Sequence, residues 1–382
     1  MRGRVRRILA APVMAAFVVT LVLAQPGARA QGTKWYPWPV LSYYGSYDVS
    51  TKKASGMPAT SLVGPKSEMW TPPTPKKPYT IGVSFPHLKD SYWLAVDYGI
   101  IDEAKQLGVG INLVAAAGYT EITQQINQVE NLANQSVDGI IFAGISYSAQ
   151  DSLVDKVSKK MPVIEVINDI RAPKIAAKAL VSFYDMGYQS GVFVAEDSKG
   201  KPQVTVAFLP GPAGSGWAPD TLEGFKAATE KLAPGRVKIV DVKYGDTGKN
   251  IQLALAEDIL NTYPKLDYLV GNAVMAGAAP DAVAARHHPA KIVSTYIEPA
   301  LYEKIVAGKV GAAPTDFTAI QGRMAVDMMV RLLNGEKPGK DFPFQSGPVI
   351  KVVTPQNYKE FSYEAMLGPQ GWKPVFTLEA KK

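Results

Sequence analysis

The chain has no cysteine, and only three of its 382 residues are histidine. The first absence excludes disulfides, thiolate nucleophiles and cysteine-based metal sites, so an exported chain of this kind must draw its stability from core packing. The second leaves little for metal binding or proton transfer. His287 and His288 are adjacent and cannot share a helical face, His87 is far away in sequence, and all three read as solvated side chains rather than as ligands of a metal. A G-x-S-x-G elbow and a recognisable triad are also missing, which argues against a hydrolase. "GPAGSG" at 211–216 could cradle an anion on backbone amides, but it lacks the Lys-Ser/Thr ending of a P-loop.

Basic clusters are scarce once the N-terminus is set aside. "MRGRVRR", the apolar run that follows it and "ARA" at Ala28–Ala30 have the head, core and small-x-small ending of a secretory leader, cleaved after Ala30. Because the run is slightly long for a leader core, an uncleaved membrane anchor is the other reading. Arg2, Arg4, Arg6, Arg7 and Arg29 leave with a cleaved leader and no acid does, so the formal charge of +7 falls by five to about +2. The remaining Lys and Arg are interspersed with acids, a distribution that does not fit a nucleic-acid partner. With 47% hydrophobic and 20% charged residues, the chain is expected to fold as a soluble protein long enough for two lobes.

Residues 31–78 are rich in Pro, Ser, Thr and aromatics without sustained periodicity and read as an irregular arm ending in the linker Pro72–Pro78. From Tyr79 onward short apolar runs alternate with amphipathic stretches. "YTIGVSF", "INLVAAA", "GIIFAGI" and "PVIEVIN" read as strands. Between them, Val96, Ile100, Ala104 and Leu107 fall at helical spacing before Gly108, as do Ile122, Ile126, Val129 and Leu132. The rhythm restarts with "VTVAFLPG", "VKIVDVKYG", "YLVGNA" and "KIVSTYI", again separated by helical stretches. Two such sets predict an α/β, bilobed fold in which each lobe is a doubly wound parallel sheet, with a cleft where strand carboxyl ends meet.

"PHLKDSYWLAVDYGI" places Tyr92 and Trp93 beside Asp90 at the start of the first helix, just past a strand end. Asp90 or Ser91 fits the N-cap position, where a side-chain oxygen accepts first-turn amide hydrogens. Other aromatics fall at equivalent places: Tyr119, Phe183 with Tyr184, Trp217 and Tyr296. Rings gathered at one rim offer negative faces to a cation. A methylated nitrogen suits them because its methyl groups need no hydrogen bonds, and Asp90 could balance its charge or orient a tyrosine hydroxyl.

From Tyr79 to about Thr354 the chain resembles the type I periplasmic binding proteins, the group of the ribose-binding and LacI-type effector domains, on "KDSYW", "QINQVENL", "DGII" and "PVIEVIN". No helix-turn-helix precedes it, which argues against a repressor. "KDSYWL", "AGYT", "MGYQSG", "LPGPAGSG" and "LEGFKAA" resemble the branch that binds trimethylamine N-oxide (TMAO) and presents it to a sensor histidine kinase. This implies an aromatic pocket with Asp90, Tyr92, Trp93, Tyr119 and Tyr296, no catalysis and no cofactor. Phe183 stands where that branch has tryptophan, so an indole donor is lost there, and Trp217 is the residue that can replace it. The sugar-binding branch, whose partner is an ABC permease, fits less well: its Asp-Arg pair is replaced by Asn168-Asp169, with Arg171 displaced. The resemblance further implies a first lobe of 79–182 plus 297–315, a second of 183–296 plus 316–354, crossings near Ser182, Tyr296 and Thr315, and a tail, 355–382, along the outside.

Overall fold

The computed structural model describes residues 35–381; the leader expected at 1–30 and its cleavage point lie outside the described residues. The arm is not irregular. It contains an antiparallel hairpin, β1 (Trp38–Tyr44) and β2 (Val63–Trp70), in which Trp38 faces Trp70 and the register shifts by a bulge between Ser42 and Tyr44. The Pro and Gly residues that obscure its periodicity lie largely in the loop between the strands and in the linker after them.

The expected alternation then follows: β3 (Thr80–Phe85), α1 (Ser91–Leu107), β4 (Gly110–Ala115), α2 (Ile122–Leu132), β5 (Gly139–Phe142), α3 (Asp151–Val157), β6 (Val163–Val166) and β7 (Ala177–Ala179). The second set is α4 (Phe183–Asp197), β8 (Val204–Leu209), α5 (Trp217–Leu232), β9 (Val237–Val242), α6 (Lys249–Thr262), β10 (Tyr268–Gly271), α7 (Ala273–Ala285) and β11 (Lys291–Ser294). After it come α8 (Pro299–Val306), β12 (Ala313–Thr315), α9 (Thr318–Leu333), β13 (Gln345–Pro348), β14 (Lys351–Val353), α10 (Tyr363–Leu367) and β15 (Thr377–Leu378). One sheet has the order β15-β4-β3-β5-β6-β7-β13-β1-β2, and the other β11-β10-β8-β9. The inner strands of both are parallel, as buried, Val- and Ile-rich runs require.

The later segments are exchanged between the lobes relative to expectation. Residues 299–315 remain with the second sheet: α8 lies on α7, and Ala312 bridges Val293 beside β11. In turn α9 returns to the first lobe and packs against α1 and β5–β7. Its residues from Thr318 to Val330 are all buried, and such a helix must be covered on every side. Gly99 and Gly322 let it approach α1: a Cβ on Gly99 would lie 2.0 Å from the Ala319 carbonyl oxygen. The chain therefore crosses between lobes at Ser182, at Asp316–Phe317 and between β13 and β14. It does not cross at Tyr296, and the tail returns to the first lobe, where β15 pairs with β4.

A buried charge cluster fastens the β1–β2 loop to the first lobe. Lys178 Nζ contacts Glu165 at 2.9 Å and Asp169 at 2.7 Å; Lys52 also pairs with Asp169, and the Gly56 amide donates to that carboxylate. Burial alone would raise the Asp169 pKa, but Lys178 and Lys52 outweigh it and hold the carboxyl below its ordinary range. Lys178→Met would leave the buried Glu165 without its cation and Asp169 with Lys52 alone, and should cost on the order of 3–5 kcal/mol in urea unfolding. A loss below about 1 kcal/mol would show that the cluster is not an ionised network.

Candidate functional site

Parallel strands end together, so the residues just beyond β3, β4, β6, β8, β9 and β11 meet where the sheets face one another. Asp90, Tyr92, Trp93, Tyr119 and Asn168 come from the first lobe; Trp217, Thr247 and Tyr296 come from the second, with Phe183 at the crossing. These nine side chains line one small cavity. All seven residues singled out from the sequence line it, whereas Tyr184 does not.

The rings form a continuous wall. Tyr92 meets Tyr296 edge-to-face with centroids 5.1 Å apart, Trp217 meets Tyr296 at 5.8 Å, Phe183 meets Trp217 at 5.6 Å, and Tyr119 meets Trp217 at 6.0 Å. Trp93 is 5.7 Å from Tyr92 and is backed by Phe85 at 5.0 Å. Edge-to-face contacts set the positive edge of one ring against the negative face of its neighbour and so pack the wall.

Each ring is oriented by its own local structure. Asp90 is the N-cap of α1, accepting from the Trp93 amide at 3.3 Å, so capping and cavity lining are properties of one side chain. Tyr92 donates to Asp316 Oδ2 at 2.6 Å, which ties the ring to the crossing segment before α9. Trp217 opens α5 after Gly216, whose φ of +81° suits glycine, and its ring covers Gly211, where a Cβ would lie 2.5 Å from the indole. The "GPAGSG" loop thus places an aromatic ring.

Two lining residues were not singled out as site residues in the sequence. Asn168 ends "PVIEVIN", and its amide donates to the Tyr119 hydroxyl at 3.0 Å and to the Gly144 carbonyl at 2.8 Å. Thr247 lies 3.1 Å from His87 Nε2. His87 is buried rather than solvated; burial and the nearby Lys89 push its pKa down to about 3, which keeps the ring neutral beside Asp90. His288 is partly covered and lies 2.9 Å from the Tyr263 carbonyl, whereas His287 is exposed. Among the described residues no group of His, Asp and Glu could hold a metal ion.

Two buried carboxyls, Asp90 and Glu298, stand near the start of α1, and Glu298 acts electrostatically on Asp90. Burial pushes the Asp90 pKa well up, reinforced by Glu298, while burial raises Glu298 to about 7 against its bonds to Ser91 and Tyr92. Glu298 accepts from the Ser91 hydroxyl at 3.0 Å, and Lys89 pairs with Asp246 at 2.6 Å; both contacts join the lobes, so this is a closed form. A carboxyl raised in the folded form favours folding fully below its unfolded pKa, and that contribution is lost as pH rises through about 7. Glu298→Gln should therefore flatten the fall of Tm between pH 4.5 and 7; an unchanged slope would assign it to other groups.

The family described as periplasmic binding protein domain matches residues 81–337. The periplasmic protein TorT of Escherichia coli K12 is 32% identical over 316 residues, covering 82% of this chain and 90% of TorT. A solved ABC transporter solute binding protein from Bradyrhizobium sp. BTAi1, with bound Bis-Tris, is 38% identical at a TM-score of 0.74, covering 90% of this chain and 99% of that one. The complex of the TorS sensor domain with TorT in the presence of TMAO matches at 30% identity and a TM-score of 0.68, covering 78% of this chain and 99% of that one. The chain belongs to the periplasmic binding protein family, as a relative of TorT.

Proposed function

We propose that the protein is a non-catalytic periplasmic receptor, exported by a cleaved leader, that closes its lobes over a small methylated amine compound, TMAO or a near relative. The closed shape is presented to a TorS-like sensor histidine kinase. The observation that carries this reading is the cavity itself, lined by six aromatic side chains from both lobes and by one carboxylate, Asp90. A cation between ring faces gains about 0.5–2 kcal/mol per good contact, most where water is excluded. A cationic nitrogen would also favour the ionised form of Asp90, offsetting the burial that raises its pKa. Because the rings belong to two lobes, the ligand makes its full set of contacts only in the closed state and so favours closure.

The relatives support the same chemistry. TorT is solved with TorS in the presence of TMAO, and the Bradyrhizobium protein holds Bis-Tris, itself a tertiary amine. Its description as an ABC transporter protein favours a second reading of the partner, in which the chain delivers the same class of ligand to a permease. A sugar is disfavoured by the site. No arginine lines the cavity, Arg171 is exposed, and Asp169 is engaged by Lys52 and Lys178.

Calorimetry with TMAO, betaine, choline and ribose tests the ligand: TMAO should bind, and tight ribose binding without a response to TMAO would reject this reading. Trp93→Ala should weaken TMAO binding by about 1–3 kcal/mol with the fold intact. Loss of thermal stability with unchanged affinity would make Trp93 a core residue only. Co-elution with the periplasmic domain of a TorS-like kinase, dependent on TMAO, would distinguish a signalling partner from a permease.

A further inference from the structure

The first turn of α1, on the first lobe, meets the first turn of α8, on the second, outside the aromatic cavity: neither Ser91 nor Glu298 lines it. A helix start leaves up to four backbone amides without an intrahelical acceptor, and where the chain is covered they must find partners elsewhere. The usual solution within one helix is a capping box, in which a Glu or Gln three residues after the N-cap bonds back to it. Trp93 and Leu301 hold those positions in α1 and α8, so neither helix can close its own box.

The two helices cap each other instead. On α1 the Trp93 amide donates to Asp90, at 3.3 Å, whereas the Ser91 and Tyr92 amides are directed to the carboxylate of Glu298 on the other lobe. On α8 Pro299 has no N–H to satisfy, and the Leu301 and Tyr302 amides both donate to the Glu298 carbonyl at 3.1 Å. The Glu298 side chain occupies the N-cap position but makes no bond to its own helix. The Ala300 amide donates to Ser91 Oγ at 3.1 Å, and the same hydroxyl donates to Glu298 Oε2 at 3.0 Å. A single hydroxyl thus uses its donor and an acceptor lone pair across the lobe boundary.

We infer that Ser91 and Glu298 form a reciprocal capping latch: each helix takes a cap from the opposite lobe, and only in the closed form, so the latch biases the lobes toward closure whether or not the cavity is filled. Ser91 is a positioning residue, acting on affinity through the lobe equilibrium without touching the ligand. When the lobes part, water replaces both caps. The nearby Lys89–Asp246 pair also joins the lobes, but Lys89 is partly exposed and its contribution is screened. The inference rests on the reading that the lobes open and close.

The chain has no cysteine, so spin labels can be placed on Gln106→Cys and Lys231→Cys, exposed positions of α1 and α5 on the two lobes. The test measures the distance between these labels without ligand, and the TMAO affinity by calorimetry, in the full chain and in S91A, S91T and A300P. All are compared at one pH, because Glu298 titrates near 7. S91A removes two bonds of the closed form and none within the first lobe, and should lower the ratio of closed to open protein about fivefold or more. A300P removes only the trans-capped N–H, at a helix position that tolerates proline, and should lower it about twofold or more. TMAO affinity falls in step with the closed fraction, and S91T, which keeps the hydroxyl, restores both readings. Should A300P fail to fold cooperatively, S91A decides. Distances unchanged in the folded variants overturn the latch, and so does an affinity lost without a change in distance, which would make Ser91 a ligand contact. A parent protein whose label distance does not respond to TMAO overturns lobe closure itself.

Discussion

A ring face attracts a cation strongly only where water cannot compete for it, and that condition organises this molecule. Water is excluded by bringing two sheets together so that their strand ends supply opposite walls of one small space. Tyr92, Trp93 and Tyr119 stand on one lobe and Trp217 and Tyr296 on the other, so neither lobe alone forms the wall. On the proposed reading, closure and recognition are thereby the same event.

The polar groups follow from the same exclusion. In a dry space an unpaired carboxyl is held protonated or is given partners, and both outcomes occur here. Asp90 is raised by burial and by Glu298, and Glu298 by burial, whereas Asp169, fully engaged by Lys178 and Lys52, stays ionised. Tyr92 is spared either fate by donating to Asp316, so its hydroxyl is occupied and only its ring is offered to the cavity.

Much of this site was legible because parallel sheets impose a rule on sequence: residues just past each apolar run must gather at one edge. Asp90, Tyr92, Trp93, Tyr119, Trp217 and Tyr296 all obey it and all reach the cavity. Asn168 and Thr247 obey it too but carry no ring or unusual chemistry to mark them, and their importance lies in the partners they find across the fold. His87 misled for the opposite reason, since a lone histidine between Pro and Leu gives no sign of being covered by the other lobe.

The sequence by itself determined the two βα sets, their parallel sheets and the gathering of rings at strand ends, because period and strand polarity are local properties of the chain. It could not assign α9 to the first lobe, since a helix buried on every side can be covered by either sheet until Gly99 and Gly322 are seen to meet. Nor could it reveal that the aromatic arm is a hairpin on the edge of the first sheet, because its partner strand, β13, lies about three hundred residues later. Which donors are paired across the lobes was likewise decided only by tertiary structure: an N–H finds its acceptor by virtue of everything that surrounds it, and no stretch of sequence contains that information.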